Sequence, residues 1–178
     1  MAGLIHIWCD GSYRDRHDTM GAGWVRTNTE NDPHARRVKG SRTVRDYMPN
    51  VGNGSDTAEL LAFALALEDA PRGSSVCVHM DCTNVMEWLQ AGTVSGSNKR
   101  GDEDLMRAFN RAARAKTGVG HVTYIYTRDK SSPNMGLAHT LARAASTPPN
   151  KKKTRAASSH GGRHAHQNSQ RPARARHP

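Results

Sequence analysis

Three strand-like runs precede the first helical repeat in this chain, and that order restricts the folds open to it more than any single residue does. Residues 4–9 (LIHIWC) mix β-branched and aromatic side chains in a short run, as a buried strand does. The run meets Asp10, Gly11 and Ser12, a turn-type cluster at which the strand is expected to stop. Residues 21–26 (GAGWVR) and a polar, weakly alternating stretch over 36–47 predict two further strands, the second at a sheet edge. Helical spacing begins at Asp56. Leu60, Phe63, Ala64 and Leu67 fall at i, i+3, i+4 and i+7, with Asp56 or Thr57 as N-cap and Pro71 near the end.

The remainder predicts a strand over 75–80, a short helix over 83–89, an amphipathic helix over 102–116, a strand over 119–126 and a helix over 133–145. Pro133 suits the start of that last helix. No internal repeat is visible. The order predicts an α/β fold with a mixed five-stranded sheet, an antiparallel meander first and then parallel strands delivered by right-handed crossovers. Functional groups in such sheets gather beyond the carboxyl ends of central strands.

Composition divides the chain near residue 146. From 147 to 178 there are eight Lys or Arg residues, no Asp or Glu, and no Val, Ile, Leu, Met or aromatic residue. Those eight cations carry most of the net charge of +10 and leave about +2 on the body. A segment without large apolar side chains does not bury enough surface to offset its ordering entropy. Residues 1–146 are therefore expected to form the domain and 147–178 a disordered basic tail. Such an arm suits a polyanion through counterion release at phosphates; a solubilising tail without a specific partner is the alternative.

No apolar run approaches the roughly 18 residues of a membrane span, and residues 1–10 enter a strand pattern without the features of a signal peptide. Cys9, Cys77 and Cys82 do not make a disulfide framework, so a reducing, cytoplasmic setting is expected. Cys77 and Cys82 lack a second cysteine pair, and zinc binding is not expected. Trp8 and Trp24 read as core; Trp88 reads as core or as a stacking surface for a nucleotide. Gly21 and Gly23 leave room for close approach of a nucleic-acid strand.

The acidic residues carry the chemistry. Asp10 ends the first expected strand and Asp81 follows the fourth, so neighbouring parallel strands bring both carboxylates to one edge. Glu59, one turn into the first long helix, leans toward the same edge. Taken singly, each also reads as an ordinary turn or helix-surface residue. Together they repel unless one is protonated or a cation is present. Oxygen donors of this kind suit Mg²⁺ or Mn²⁺. Two such ions roughly 3.5–4 Å apart activate water and stabilise a leaving oxygen in phosphodiester cleavage.

The strings IWCDGS (7–12), GAGW (21–24), TAEL (57–60), VHMD (78–81) and LARAA (141–145) resemble, in order and spacing, the ribonuclease H family of the small bacterial type, over about residues 4–146. The resemblance implies a ribonuclease H-like fold and endonucleolytic cleavage of the RNA strand of RNA–DNA hybrids, with two divalent ions and 5′-phosphate products. It puts Asp10, Glu59 and Asp81 at three of four metal-binding and catalytic carboxylate positions. His139 stands at the fourth, where the family usually has Asp, and its imidazole suits Mn²⁺ better than Mg²⁺. The family's catalytic-loop His is missing from 127–134, where Arg128, Asp129 and Lys130 stand, leaving Asp129 as a candidate for proton handling or for the missing carboxylate. Ser55 and Asp56 replace a common Asn, and 93–100 is too short for a long basic protrusion. Hybrid contacts are expected from Gly11, Ser12, Lys99, Arg100, Lys151, Lys152 and Lys153. A monomer is expected, with no membrane and no inferable protein partner. Another nuclease activity on this fold and a non-catalytic nucleic-acid-binding module are the rival readings.

Overall fold

The computed structural model describes residues 4–15, 19–32, 34–128 and 131–148. The expected tail from 149 onward, with Lys151, Lys152 and Lys153, lies outside these residues, as do Asp129 and Lys130.

The sheet has five strands in the order β3-β2-β1-β4-β5. β1 is Ile5–Arg14, β2 Thr19–Thr27, β3 Val38–Val44, β4 Ser75–Met80 and β5 His121–Tyr126. β1, β2 and β3 form the antiparallel meander; β4 and β5 join in parallel to β1 and to one another. The helices are α1 (Gly54–Glu68), α2 (Thr83–Ala91), the single turn α3 (Ser97–Arg100), α4 (Glu103–Thr117) and α5 (Pro133–Ala145). Mixed sheet and flanking helices agree with the sequence reading.

Helix α1 lies between the sheet and α4, and it is buried on almost every side. Its sequence explains this: beyond the i, i+3, i+4 stripe, Leu61, Ala62, Leu65 and Ala66 make it apolar all round, as a helix between two layers must be. Ile7, Leu60, Phe63 and Met80 are fully buried there, each contributing about 1.5–3 kcal/mol as an upper bound. The opposite face of the sheet is covered by α5, where Trp8 and Val25 pack on Met135 and Ala138.

Three local expectations change. The Asp10–Gly11–Ser12 cluster does not end the first strand; β1 continues to Arg14 because β2 pairs with it along this whole stretch, Asp10 facing Gly23. Helix α1 starts before Asp56, with Asn53 in the cap position, and Asp102 holds Asn53 by accepting from its Nδ2 at 2.8 Å. Gly21 and Gly23 do permit close approach, but of α5: a Cβ on either would overlap backbone atoms of Ala138, Ala142 or Ser146. Trp88 belongs to the core, 3% exposed, its Nε1 donating to Ser95 Oγ at 2.7 Å.

Candidate active site

The site forms where two central strands part. Pairing between β1 and β4 runs from Ile5 with Val76 to Trp8 with His79. Continuing that register sets Asp10 level with Asp81, the residue after β4 ends. Asp10 is held from its other side by antiparallel pairing with Gly23.

Glu59 arrives from the α1 face, and a glycine makes this possible. A Cβ at Gly11 would stand 2.6 Å from the Ala58 carbonyl oxygen and overlap the Glu59 nitrogen, so α1 rests directly on bare β1 backbone. The same approach lets the Gly11 N–H donate to Glu59 Oε1 at 3.1 Å. Asp10, Glu59 and Asp81 each bring a carboxylate oxygen into a group spanning no more than 4.8 Å. Asp10 and Glu59 are buried and Asp81 is half-buried.

Burial, then the charges of Asp10 and Asp81, push the Glu59 pKa well above its ordinary value, against the Gly11 hydrogen bond. Burial and the same three carboxylates raise Cys9 in turn, and burial pushes the neighbouring Cys82 thiol up to about 12. Glu59 Oε2 is buried with no hydrogen-bond partner among the described residues. Three hard oxygen donors brought this close together are a donor set suited to a divalent cation, which would remove their repulsion.

His139 is brought to the same place by α5, whose close seat on Gly23 sets the preceding residue, Ala138, over β2. Its Nδ1 lies 3.2 Å from Asp10 Oδ2. The other sequence candidates are differently engaged. Gly11 serves the α1 contact, and Ser12 Oγ meets Ser146 Oγ at 3.0 Å. Lys99 pairs with Asp56 and lies 5.3 Å over the Trp88 ring. Arg100 is exposed at the end of α3. The Gly11 contact to Glu59 was hidden in the sequence; its signal is a glycine directly after an acidic strand residue.

Element order, strand order and the placement of α1 and α5 define a ribonuclease H-like fold. The chain is similar to the crystal structure of RNase H1 from the halophilic archaeon Halobacterium salinarum NRC-1, with 22% identity and a TM-score of 0.62, over 80% of this chain and 97% of that one. It is also similar to the N-terminal RNase H domain of a Mycobacterium tuberculosis protein, with 18% identity and a TM-score of 0.61, over 81% of this chain and 99% of that one. No protein-family model and no curated protein matches the sequence. No helix among the described residues is long and apolar enough to cross a membrane.

Proposed function

We propose that this protein is a divalent-metal-dependent endoribonuclease that cleaves the RNA strand of RNA–DNA hybrids, leaving 5′-phosphate ends. The observation that carries the reading is the convergence of one carboxylate oxygen each from Asp10, Glu59 and Asp81 within 4.8 Å. A pure binding module gains nothing from carboxylates aimed where phosphates must lie. The similarity to RNase H structures supports the choice of substrate.

In this reading Asp10, Glu59 and Asp81 hold two Mg²⁺ or Mn²⁺ ions, with His139 as a further ligand through a neutral ring nitrogen. The ions, when bound, supply an activated water and neutralise charge at the scissile phosphate. The Gly11 N–H fixes one Glu59 oxygen and leaves the other, buried, without a protein hydrogen bond among the described residues. Asp10 orients His139 through their 3.2 Å contact. Arg100 and the tail lysines Lys151, Lys152 and Lys153 meet hybrid phosphates, while Lys99 must exchange Asp56 for a phosphate to do so. The RNA strand is distinguished by its 2′-hydroxyls in the wide minor groove of an A-like duplex. We further propose that the protein acts as a cytoplasmic monomer.

A labelled RNA–DNA hybrid, assayed beside duplex RNA, duplex DNA and single-stranded RNA with Mg²⁺ and with Mn²⁺, tests the reading. Metal-dependent cleavage of the hybrid's RNA strand alone is expected. Cleavage of another substrate with the hybrid spared, or binding without cleavage in either metal, would replace it.

A further inference from the structure

A second cluster of ligand-type side chains lies on the same two strands, away from the carboxylates. His6 of β1 pairs in register with Cys77 of β4, and His79 follows on the same face two residues later. All three are buried, and each offers a ligand atom within 4.8 Å of the others. His6 Nδ1 lies 3.2 Å from His79 Nε2, and Cys77 Sγ lies 3.9 Å from the same nitrogen.

We infer that His6, Cys77 and His79 form a binding site for one Zn²⁺ ion, separate from the carboxylate cluster. A tetrahedral zinc with ordinary bond lengths holds two imidazole nitrogens about 3.3 Å apart and a nitrogen and a sulfur about 3.6 Å apart. The observed separations lie within a few tenths of an ångström of both. Hydrogen bonding alone accounts for them less well. His79 Nε2 has one lone pair, yet His6 and Cys77 both converge on it. A single cation satisfies all three donors at once.

The surroundings are those of a supported site. His79 Nδ1 lies 3.0 Å from Thr127 Oγ1; with the N–H on Nδ1 donating to that hydroxyl, Nε2 is left to ligate. The Trp8 indole stacks on the His79 ring at 4.4 Å and 15°, fixing its plane. Glu30 is close enough to act electrostatically on both Cys77 and His79, and its negative charge offsets what remains on a zinc bound by one thiolate. His6 also lines a surface hollow of about 500 Å³ with Leu4, Asn28 and Arg72, which gives an entry path. Binding releases the Cys77 thiol proton to solvent. The donor set is nitrogen and sulfur, which favours zinc over the ions that carboxylates choose.

Cobalt is the probe. The full chain, stripped of metal and kept in excess Mg²⁺ to saturate the carboxylates, is titrated with Co²⁺ and then with Zn²⁺. One equivalent of Co²⁺ is expected to give tetrahedral bands and a thiolate-to-cobalt charge-transfer band, both erased by one equivalent of Zn²⁺. Cys77→Ser abolishes the charge-transfer band, Cys82→Ser leaves it, and Thr127→Val weakens zinc binding roughly 10–100-fold. The histidines of the expected tail, His160, His164, His166 and His177, do not mimic the result, because imidazole ligands give no thiolate band. A wild-type chain without that band overturns the inference, whether or not the variants fold. So does a band that survives Cys77→Ser or disappears with Cys82→Ser.

Discussion

The two clusters on β1 and β4 stand on either side of Trp8, yet they are built from opposite chemistry. His6, Cys77 and His79 lie where the strands are still paired, and their donors are buried and can be neutral. Asp10 and Asp81 lie just past the last pair, Trp8 with His79, where the strands separate and Asp81 remains half-buried. A carboxylate costs far more to bury than an imidazole or a thiol. Where the sheet opens, Asp81 keeps part of its hydration, which the paired stretch around His6 and Cys77 does not offer. Asp10 and Glu59 are buried all the same; Glu59 is brought in by the Gly11 contact, and its raised pKa records the cost of burying an acid there.

Removing a carboxylate should break the comparison most sharply. Asp10→Asn or Asp81→Asn is expected to lower hybrid cleavage by about a thousandfold, the loss of several kcal/mol of metal-borne stabilisation. The cobalt–thiolate band should be unchanged in both variants. Near-normal turnover in saturating Mg²⁺ would refute the metal-ligand assignment.

Next in size is the contact that delivers Glu59. Gly11→Ala must push α1 off β1, and about 1–3 kcal/mol of stability should go with it. A denaturant titration measures this. If stability held while cleavage fell, Gly11 would be acting on substrate rather than on α1.

The pH dependence of the metal-free protein isolates Glu59 itself. Because its folded-state pKa is raised, the folded chain holds the proton more tightly than the unfolded one. Stability from this group is present below the ordinary 4.5 and is lost as pH rises through the raised folded value. At neutral pH without divalent ions, Glu59→Gln should raise Tm and flatten its pH dependence. Millimolar Mg²⁺ should erase the difference. A Tm that falls in the variant at neutral pH would show that the charged carboxylate is stabilised by groups other than a metal.

The smallest effect concerns His139. With an imidazole ligand, the Mn²⁺/Mg²⁺ activity ratio should exceed that of His139→Asp by a few-fold, since nitrogen suits the softer ion. The same ratio in wild type, His139→Asp and His139→Ala would make His139 a partner of Asp10 only.

Much of this was legible in the sequence. Element order gave the sheet, and the spacing of Asp10, Glu59 and Asp81 anticipated their meeting. What misled was local chemistry overridden by packing. Asp10, Gly11 and Ser12 have the composition of a turn, but β2 supplies a ladder and α1 fills the space a side chain at Gly11 would need. Gly21 and Gly23 advertise close approach without saying by what; the answer lies more than a hundred residues on, in α5. The His6–Cys77–His79 cluster is hidden in the sequence because no cysteine pair marks it. The readable trace was Cys77 and His79 two apart on one strand face, but His6 joins them only through the parallel register of β1 with β4.

That register also has a consequence in time. β1 is the middle strand, and while the meander can close on β2 and β3 as they emerge, its other edge waits for β4, 71 positions later by the pairing of Ile5 with Val76. At about 5–20 residues per second of synthesis, the interval is on the order of 4–14 s. Throughout it, the backbone donors and acceptors along Ile5 to Trp8 form an apolar, unpaired edge, the kind of surface that invites a second nascent chain. The strand that joins both clusters in the finished molecule is thus the one most exposed to mispairing while the ribosome is still delivering the rest.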